Sequence, residues 1–281
     1  MEAKLSVWSS YYVDLKIEDA VEAFLQNGIF CSELSDEHGL ELLERSPDVI
    51  ATGSALRKFL EARNFEMSQG HLWLRVKICS DAEAVTALFR WIDLYEAIGI
   101  RNMVLHCDNM ISSQLTSEAR TCENIEKLKI LADYIRGKDI TICLENMRTI
   151  APAEAGIDFR VDQLLAIIDK IGSRQFGICL DTGHLNLTQK NHREFILKAG
   201  KKLKALHIAD NQGLTDQHLM PFGRGKVDFF EVVKALREVD YNGLFNLEIP
   251  GERHAPMSVL GYKLEYIRKC YDYLMGCEGD C

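Results

Sequence analysis

Three acids and three histidines stand at the ends of short apolar runs: His71, His106, Glu145, Asp181, His207 and Glu248. Strands that enter a core ordinarily end in apolar residues or a neutral turn, so ionisable ends ask for a chemical reason. Singly, each has a bland one. A histidine on an apolar strand is more often a hydrogen-bonded core residue, and a carboxylate after such a run is often the N-cap of the next helix. Together they are harder to dismiss. Carboxylates that converge in a low-dielectric pocket repel one another and lose hydration, at a cost of several kcal/mol per ion. Glu145, Asp181 and Glu248 are therefore expected to share a divalent cation. An acid-rich set with one imidazole favours Mn²⁺, with Mg²⁺ or Co²⁺ close behind and Zn²⁺ after them.

Two segments concentrate the chemistry. In Cys179-Leu180-Asp181-Thr182-Gly183-His184, an acid at a strand end is followed three residues later by a histidine, across a turn loosened by Gly183. The second runs from His207 through Asp210, Asn211, Gly213, Asp216 and His218 to Pro221-Phe222-Gly223-Arg224-Gly225, too polar to be core. Of the 8 histidines, His71, His106, His184, His207 and His218 fall on or just after expected strand ends, leaving His38, His192 and His254 elsewhere. His71, His106, Asp216 and His218 are further candidates for a metal or a substrate. Arg224, between two glycines, is a candidate for holding a phosphate or carboxylate, or else a solvated loop arginine. Trp73 and Trp8 offer flat faces on which a substrate would stack, or equally plug the interior.

Such residues must be positioned by a scaffold. Short β-rich runs alternate with amphipathic stretches, which argues for parallel strands joined by crossover helices. Strands are expected at 4–9, 28–34, 64–71, 101–107, 140–145, 175–181, 203–208 and 244–249, the second and third having the weakest patterning. Eight strands spaced by about 34 residues fit a (β/α)8 TIM barrel, whose carboxyl strand ends share one face where active sites are built. Ser80-Asp81-Ala82-Glu83 reads as a capping box. Val85, Leu88, Ile92 and Tyr95 then form one apolar stripe that Gly99 ends. Gly137 and Gly172 close two further helices, Asp228 caps another, and a last helix spans about 257–275.

The 281 residues show no linker or composition break, so one barrel domain over 1–281 is expected. A net charge of −9 is a poor start for a nucleic-acid binder, which needs a basic footprint. The 9 cysteines are odd in number and contain no CxxC pair, as expected of buried thiols in a reducing compartment, although Cys277 and Cys281 could pair. The first residues lack signal-peptide architecture and no apolar run approaches about 18 residues, so a cytoplasmic protein without a membrane partner is expected.

ICLEN (142–146), CLDTGH (179–184), LHIADNQGLTDQHLMPFGRGKVD (206–228) and the acid of FNLEIPG (245–251) resemble the xylose isomerase-like superfamily of TIM barrels, particularly its sugar-phosphate isomerases and epimerases. The resemblance implies that Glu145, Asp181, His207 and Glu248 bind one divalent ion, that Glu145 and Glu248 serve as an acid/base pair, and that His184 contacts the substrate. It implies a small sugar, sugar phosphate or polyol as substrate, proton transfer through an enediolate, and often a homo-oligomer. A dehydratase or lyase acting on a cyclic polyol or sugar conjugate would use the same site. Endonuclease IV, of the same superfamily, uses a wider zinc cluster for which His71, His106, Glu145, Asp181, His184, His207, Asp216, His218 and Glu248 are candidates. Gly183 within DTGH, the DNQG segment and the missing basic face depart from that nuclease.

Overall fold

The structure, a computed structural model, describes residues 3–81, 83–111, 115–148, 157–188 and 191–277. Eight parallel strands, β1 (Lys4–Trp8), β2 (Cys31–Leu34), β3 (Glu66–His71), β4 (Asn102–Leu105), β5 (Thr141–Glu145), β6 (Phe176–Asp181), β7 (Leu203–His207) and β8 (Leu244–Leu247), lie in the order β7-β6-β5-β4-β3-β2-β1-β8. A parallel bridge between Ile208 and Leu247 brings the two outer strands together, giving a nearly closed (β/α)8 TIM barrel. All eight expected strands are present, but β4 and β8 stop short of His106 and Glu248, which therefore sit just beyond the ladder.

The helices are α1 (Ile17–Gln26), α2 (Asp36–Arg45), α3 (Val49–Glu61), α4 (Ala84–Ile98), α5 (Ser117–Tyr134), α6 (Val161–Ile171), α7 (Thr182–Thr188), α8 (His192–Ala199), α9 (Phe229–Glu238) and α10 (Met257–Gly276). Their apolar stripes face the barrel: Val85, Leu88, Ile92 and Tyr95 of α4 are all buried. Gly99 (φ 101°) and Gly172 (φ 72°) end α4 and α6 in the left-handed region that only glycine occupies without strain. Asp228 caps α9 by accepting from the amides of Phe230 and Glu231.

Two local expectations are corrected. The capping box at Ser80 does not form: α4 starts at Ala84, and its N-cap Glu83 makes no side-chain cap bond. Asp81 instead takes the Glu83 amide at 2.9 Å, closing a local turn that leaves Ser80 outside the helix. Ala82 lies outside the described residues, as does Cys281 and with it the Cys277–Cys281 pairing. The stretch after Asp181 is not a loosened turn either. It is the start of α7, with Gly183 and His184 in its first turn.

Inside the barrel, side chains alternate with a period of two. Val104, Cys143, Cys179 and Ala205 pack as one cluster of small residues on β4 to β7. At the same depth on β1, β2, β3 and β8, Ser6, Glu33, Gln69 and Asn246 are buried and hydrogen-bonded to one another. Two residues further along come His106, Glu145, Asp181 and His207 on one half, and Trp8, His71 and Glu248 on the other. The ligand candidates thus form a single layer, set on a floor of small and polar side chains.

The outer shell leaves little slack. A Cβ on Gly53 of α3 would lie 2.6 Å from the Leu94 carbonyl oxygen and 2.7 Å from Ala97 Cβ of α4. Gly53→Ala is expected to destabilise the fold by about 1–3 kcal/mol, read as a lower urea midpoint. An unchanged midpoint would mean that the two helices are not in close contact.

Candidate metal centre at the barrel mouth

His207 ends β7 with its ring fully buried, and its two nitrogens face different neighbours. Nε2 lies 3.0 Å from Glu33 Oε1. Glu33 Oε2 in turn accepts from Gln69 Nε2 at 2.5 Å and Asn246 Nδ2 at 2.6 Å, and Ser6 Oγ donates to Asn246 Oδ1 at 2.8 Å. This network fixes the proton on Nε2 and leaves Nδ1 as the basic atom, the arrangement by which a carboxylate orients a metal-binding imidazole. Nδ1 lies 3.3 Å from Glu145 Oε2 and 3.3 Å from Glu248 Oε2.

Asp181 divides its work between two oxygens. Oδ1 caps α7 by accepting from the His184 amide at 2.7 Å, while Oδ2 is buried without a hydrogen-bond partner. The N-cap and ligand readings of this residue are therefore compatible. Glu248 Oε2 and His207 Nδ1 are likewise buried and partnerless. One ligand atom from each of Asp181, His207 and Glu248 falls within a common span of 4.8 Å. Three orphaned basic atoms at one point cost about 1–3 kcal/mol each if nothing satisfies them, so the donor set fits a divalent cation. Burial pushes Glu248 up to about 7, against the opposing pull of His207 and His218. Burial acts on Glu145 in the same sense, but His207, His106 and His184 outweigh it and hold that carboxyl well below the usual range.

The other candidates gather beside this set. His71 Nδ1 lies 2.6 Å from the Leu72 carbonyl oxygen, which leaves Nε2 3.3 Å from His106 Nε2 and 3.6 Å from Glu145 Oε2. His106 Nε2 is 3.0 Å from the same Glu145 oxygen, and His71, His106 and Glu145 form a second ligand-like group. His184 Nδ1 lies 3.2 Å from Glu145 Oε1, and its Nε2 3.2 Å from Asp216 Oδ2. His218 Nε2 lies 3.4 Å from that Asp216 oxygen, and its Nδ1 donates to the Glu248 carbonyl at 2.8 Å. Burial disfavours the charged His184 ring, but Asp181, Asp216 and Glu145 overcome it and raise its pKa well above normal. His218 adopts φ 45°, a strained value for a residue with a side chain.

Asp216 and His218 sit on a loop clamped at its base. Asp210 Oδ1 accepts the amides of Asn211, Lys226 and Val227 at 2.7, 2.8 and 2.9 Å. A Cβ on Gly225 would lie 1.9 Å from Asp210 Cγ, so glycine is required there for close approach rather than for flexibility. Asn211 ties the loop to α7 through Gly183 and Asn186. Arg224 is exposed, and among the described residues no hydrogen bond or ion pair joins it to the cluster. Trp73 is half-buried and packed against the core. Sequence reasoning missed Glu33, on the poorly patterned β2, and Arg148, whose Nε reaches Asp216 Oδ2 at 3.3 Å. Glu33 had a readable companion signal, since Gln69 and Asn246 each precede a ligand candidate by two residues.

A sequence model described as xylose isomerase-like TIM barrel matches residues 32–270. The chain is 30% identical over 135 residues to a D-psicose 3-epimerase of Enterocloster bolteae, covering 48% of this chain and 36% of that protein. It is 26% identical over 186 residues to a probable endonuclease 4 of Mycoplasmopsis agalactiae, covering 62% and 64%. Its fold is similar to a crystal structure of D-psicose 3-epimerase with D-tagatose from Clostridium cellulolyticum, with a TM-score of 0.78, 15% identity and coverage of 98% and 100%. The chain spans about half the length of the first curated relatives it matches, 51% and 48%.

Two outcomes follow from this geometry. Glu33→Gln puts an amide where three donors converge and is expected to weaken Mn²⁺ binding about 10–100-fold in calorimetric titration, with the far-ultraviolet spectrum retained. Unchanged affinity would detach Glu33 from the centre. In the metal-free protein the pKa of Glu248, about 7, lies above its unfolded value of 4.5, so its stabilisation is complete below pH 4.5 and fades as pH rises through 7. Metal needs the unprotonated carboxylate, so the rise in melting temperature on adding Mn²⁺ should grow from about pH 5 to about pH 8. A rise that stayed constant would exclude Glu248 as a ligand.

Proposed function

Because the chain belongs to the xylose isomerase-like TIM barrel family, we propose that it is a divalent-metal-dependent epimerase or isomerase acting on a ketose or related polyol. The observation that carries this reading is the convergence of three buried, partnerless basic atoms, Asp181 Oδ2, His207 Nδ1 and Glu248 Oε2, beside the carboxylate of Glu145. These four residues would hold the ion, Mn²⁺ ahead of Mg²⁺, Co²⁺ or Zn²⁺. When bound, it would polarise neighbouring carbonyl and hydroxyl oxygens of the substrate and stabilise the negative charge left by a departing proton.

The chain's own residues do the proton work. Glu145 and Glu248 approach from β5 and from beyond β8, so they can flank a bound substrate. Glu145 and Glu248 would serve as the acid/base pair, one removing the proton next to the carbonyl and the other returning one from the other face. Removal on one face and return on the other inverts the carbon, which is epimerisation. Return by the same residue to the adjacent carbon gives aldose–ketose isomerisation. His184, fixed between Glu145 and Asp216, would contact the substrate.

A second reading has a specific observation behind it. The nine histidines and acids of the wider set form one connected cluster, and Glu145 is shared among three ligand-like groups. A multi-zinc abasic-site endonuclease would use them all. The net charge of −9 weighs against a DNA substrate.

Chelation is expected to abolish ketose epimerisation and Mn²⁺ to restore it, with elemental analysis giving one ion per chain. Glu248→Gln should cost about 10²–10⁴-fold in kcat and remove deuterium incorporation from solvent at the epimerised carbon, followed by NMR. Full activity after exhaustive metal removal would discard the mechanism. Three zinc ions per chain with nicking of an abasic duplex would install the second reading, and loss of water or bond cleavage in the NMR product would point to a dehydratase or lyase.

A further inference from the structure

Cys179 precedes Asp181 by two residues on β6, so its side chain points into the barrel one layer beneath that acid. It is fully buried, as are Glu145 and His207. One ligand atom from each of Glu145, Cys179 and His207 falls within a common span of 4.8 Å. Atoms bound to one ion through bonds of about 2.0–2.3 Å lie up to about 4.5 Å apart, so small shifts close this group around a cation. His207 can offer a lone pair only at Nδ1, since Glu33 occupies Nε2, and Nδ1 is buried without a hydrogen-bond partner. Among the described residues, this is the one group of possible ligands that contains sulfur.

We propose, resting on the metal-centre reading above, that Glu145, Cys179 and His207 form a deeper site for a thiophilic divalent cation such as Zn²⁺ or Cd²⁺. Its occupation excludes the Mn²⁺ of the centre. Asp181 and Glu248 set oxygen ligands on one side of the His207 nitrogen, where they suit a hard ion. Cys179 sets sulfur beneath, where it suits a soft one. Both positions draw on the same Nδ1 lone pair, so they cannot be filled together. As the sulfur–metal bond forms, the thiol proton is lost to solvent, because the thiolate is the form that ligates. Without such an ion, Cys179 is a small side chain packed among Val104, Cys143 and Ala205. With it, the lone pairs of Glu145 are drawn to the metal and withdrawn from proton transfer.

The test titrates the metal-free full chain with Cd²⁺ and follows the ultraviolet charge-transfer band of cadmium thiolate, in the wild type and in Cys179→Ala. Calorimetry gives the Mn²⁺ affinity of both. In the wild type, Cd²⁺ should raise the band and block Mn²⁺ binding. The substitution should lower Cd²⁺ affinity at least about tenfold and leave Mn²⁺ affinity within about threefold, because a hard ion gains little from sulfur. An equal band and equal Cd²⁺ affinity in both proteins would overturn the site, as would Mn²⁺ binding undisturbed by Cd²⁺. Should the alanine variant not fold, Cys179→Ser keeps the side-chain volume and is read in the same way. If Mn²⁺ binds neither protein, the metal-centre reading fails and the cadmium band alone decides the deeper site. Its loss in the variant sustains that site, and its persistence ends it.

Discussion

Everything at the mouth of this barrel is organised around charge that cannot be left alone. Glu145, Asp181 and Glu248 are almost completely buried within one layer, and Glu33 lies directly beneath them. In bulk water such carboxylates would repel weakly. In a closed strand cylinder, hydration is lost and the repulsion grows as the effective dielectric falls. The chain answers with imidazoles: each of these acids except Asp181 has a histidine nitrogen within 3.3 Å, and Asp181 has one at 3.6 Å. Histidine is a conditional counter-charge, present only when protonated, and three acceptor atoms still go unsatisfied. A small cation would account for both features at once.

The floor beneath the centre shows why the acids can be held so close. Cys143, Cys179 and Ala205 are small enough to let β5, β6 and β7 bring their next inward residues together, whereas the other half of the floor is a polar network focused on Glu33. The asymmetry has a function. The apolar half sets spacing, and the polar half sets the tautomer of His207, so that its Nδ1 and not its Nε2 faces the acids. The Asp210 clamp extends the same principle outward. It holds Asp216 and His218 over the cluster through backbone bonds rather than bulk, at the cost of the strained backbone at His218.

How much of this was legible in the sequence follows from the strength of each local pattern. Glu145, Asp181 and His207 end well-patterned strands, so both their existence and their common face could be read. Glu33 could not, because CSEL offers only four residues and no clear alternation. Its role exists only through partners on β3, β7 and β8, separated from it by 36, 174 and 213 residues. The helix at Thr182 was hidden by glycine and asparagine, residues with low helix propensity. Tertiary bonds from Asn146, Asn211 and His192 stabilise that turn where propensity does not. The glycines beside Arg224 suggest a mobile, ligand-seeking arginine, yet Gly225 is there to admit the Asp210 carboxylate.

Glu145 occupies a position that bears on how one scaffold serves different chemistries. One of its oxygens faces His71, His106 and His207, and the other faces His184. Were a cation held by Asp181, His207 and Glu248, His71 and His106 would remain to act on the carboxylate electrostatically. The same two histidines and Glu145 also form a ligand-like group of their own, so a proton and a further cation would compete for that carboxylate. Burial lowers the His106 pKa even with Glu145 beside it, whereas in His71 the same carboxylate outweighs burial and raises it. The two neighbouring rings thus respond to one carboxylate in opposite senses, His71 gaining more proton affinity from it than burial removes and His106 less.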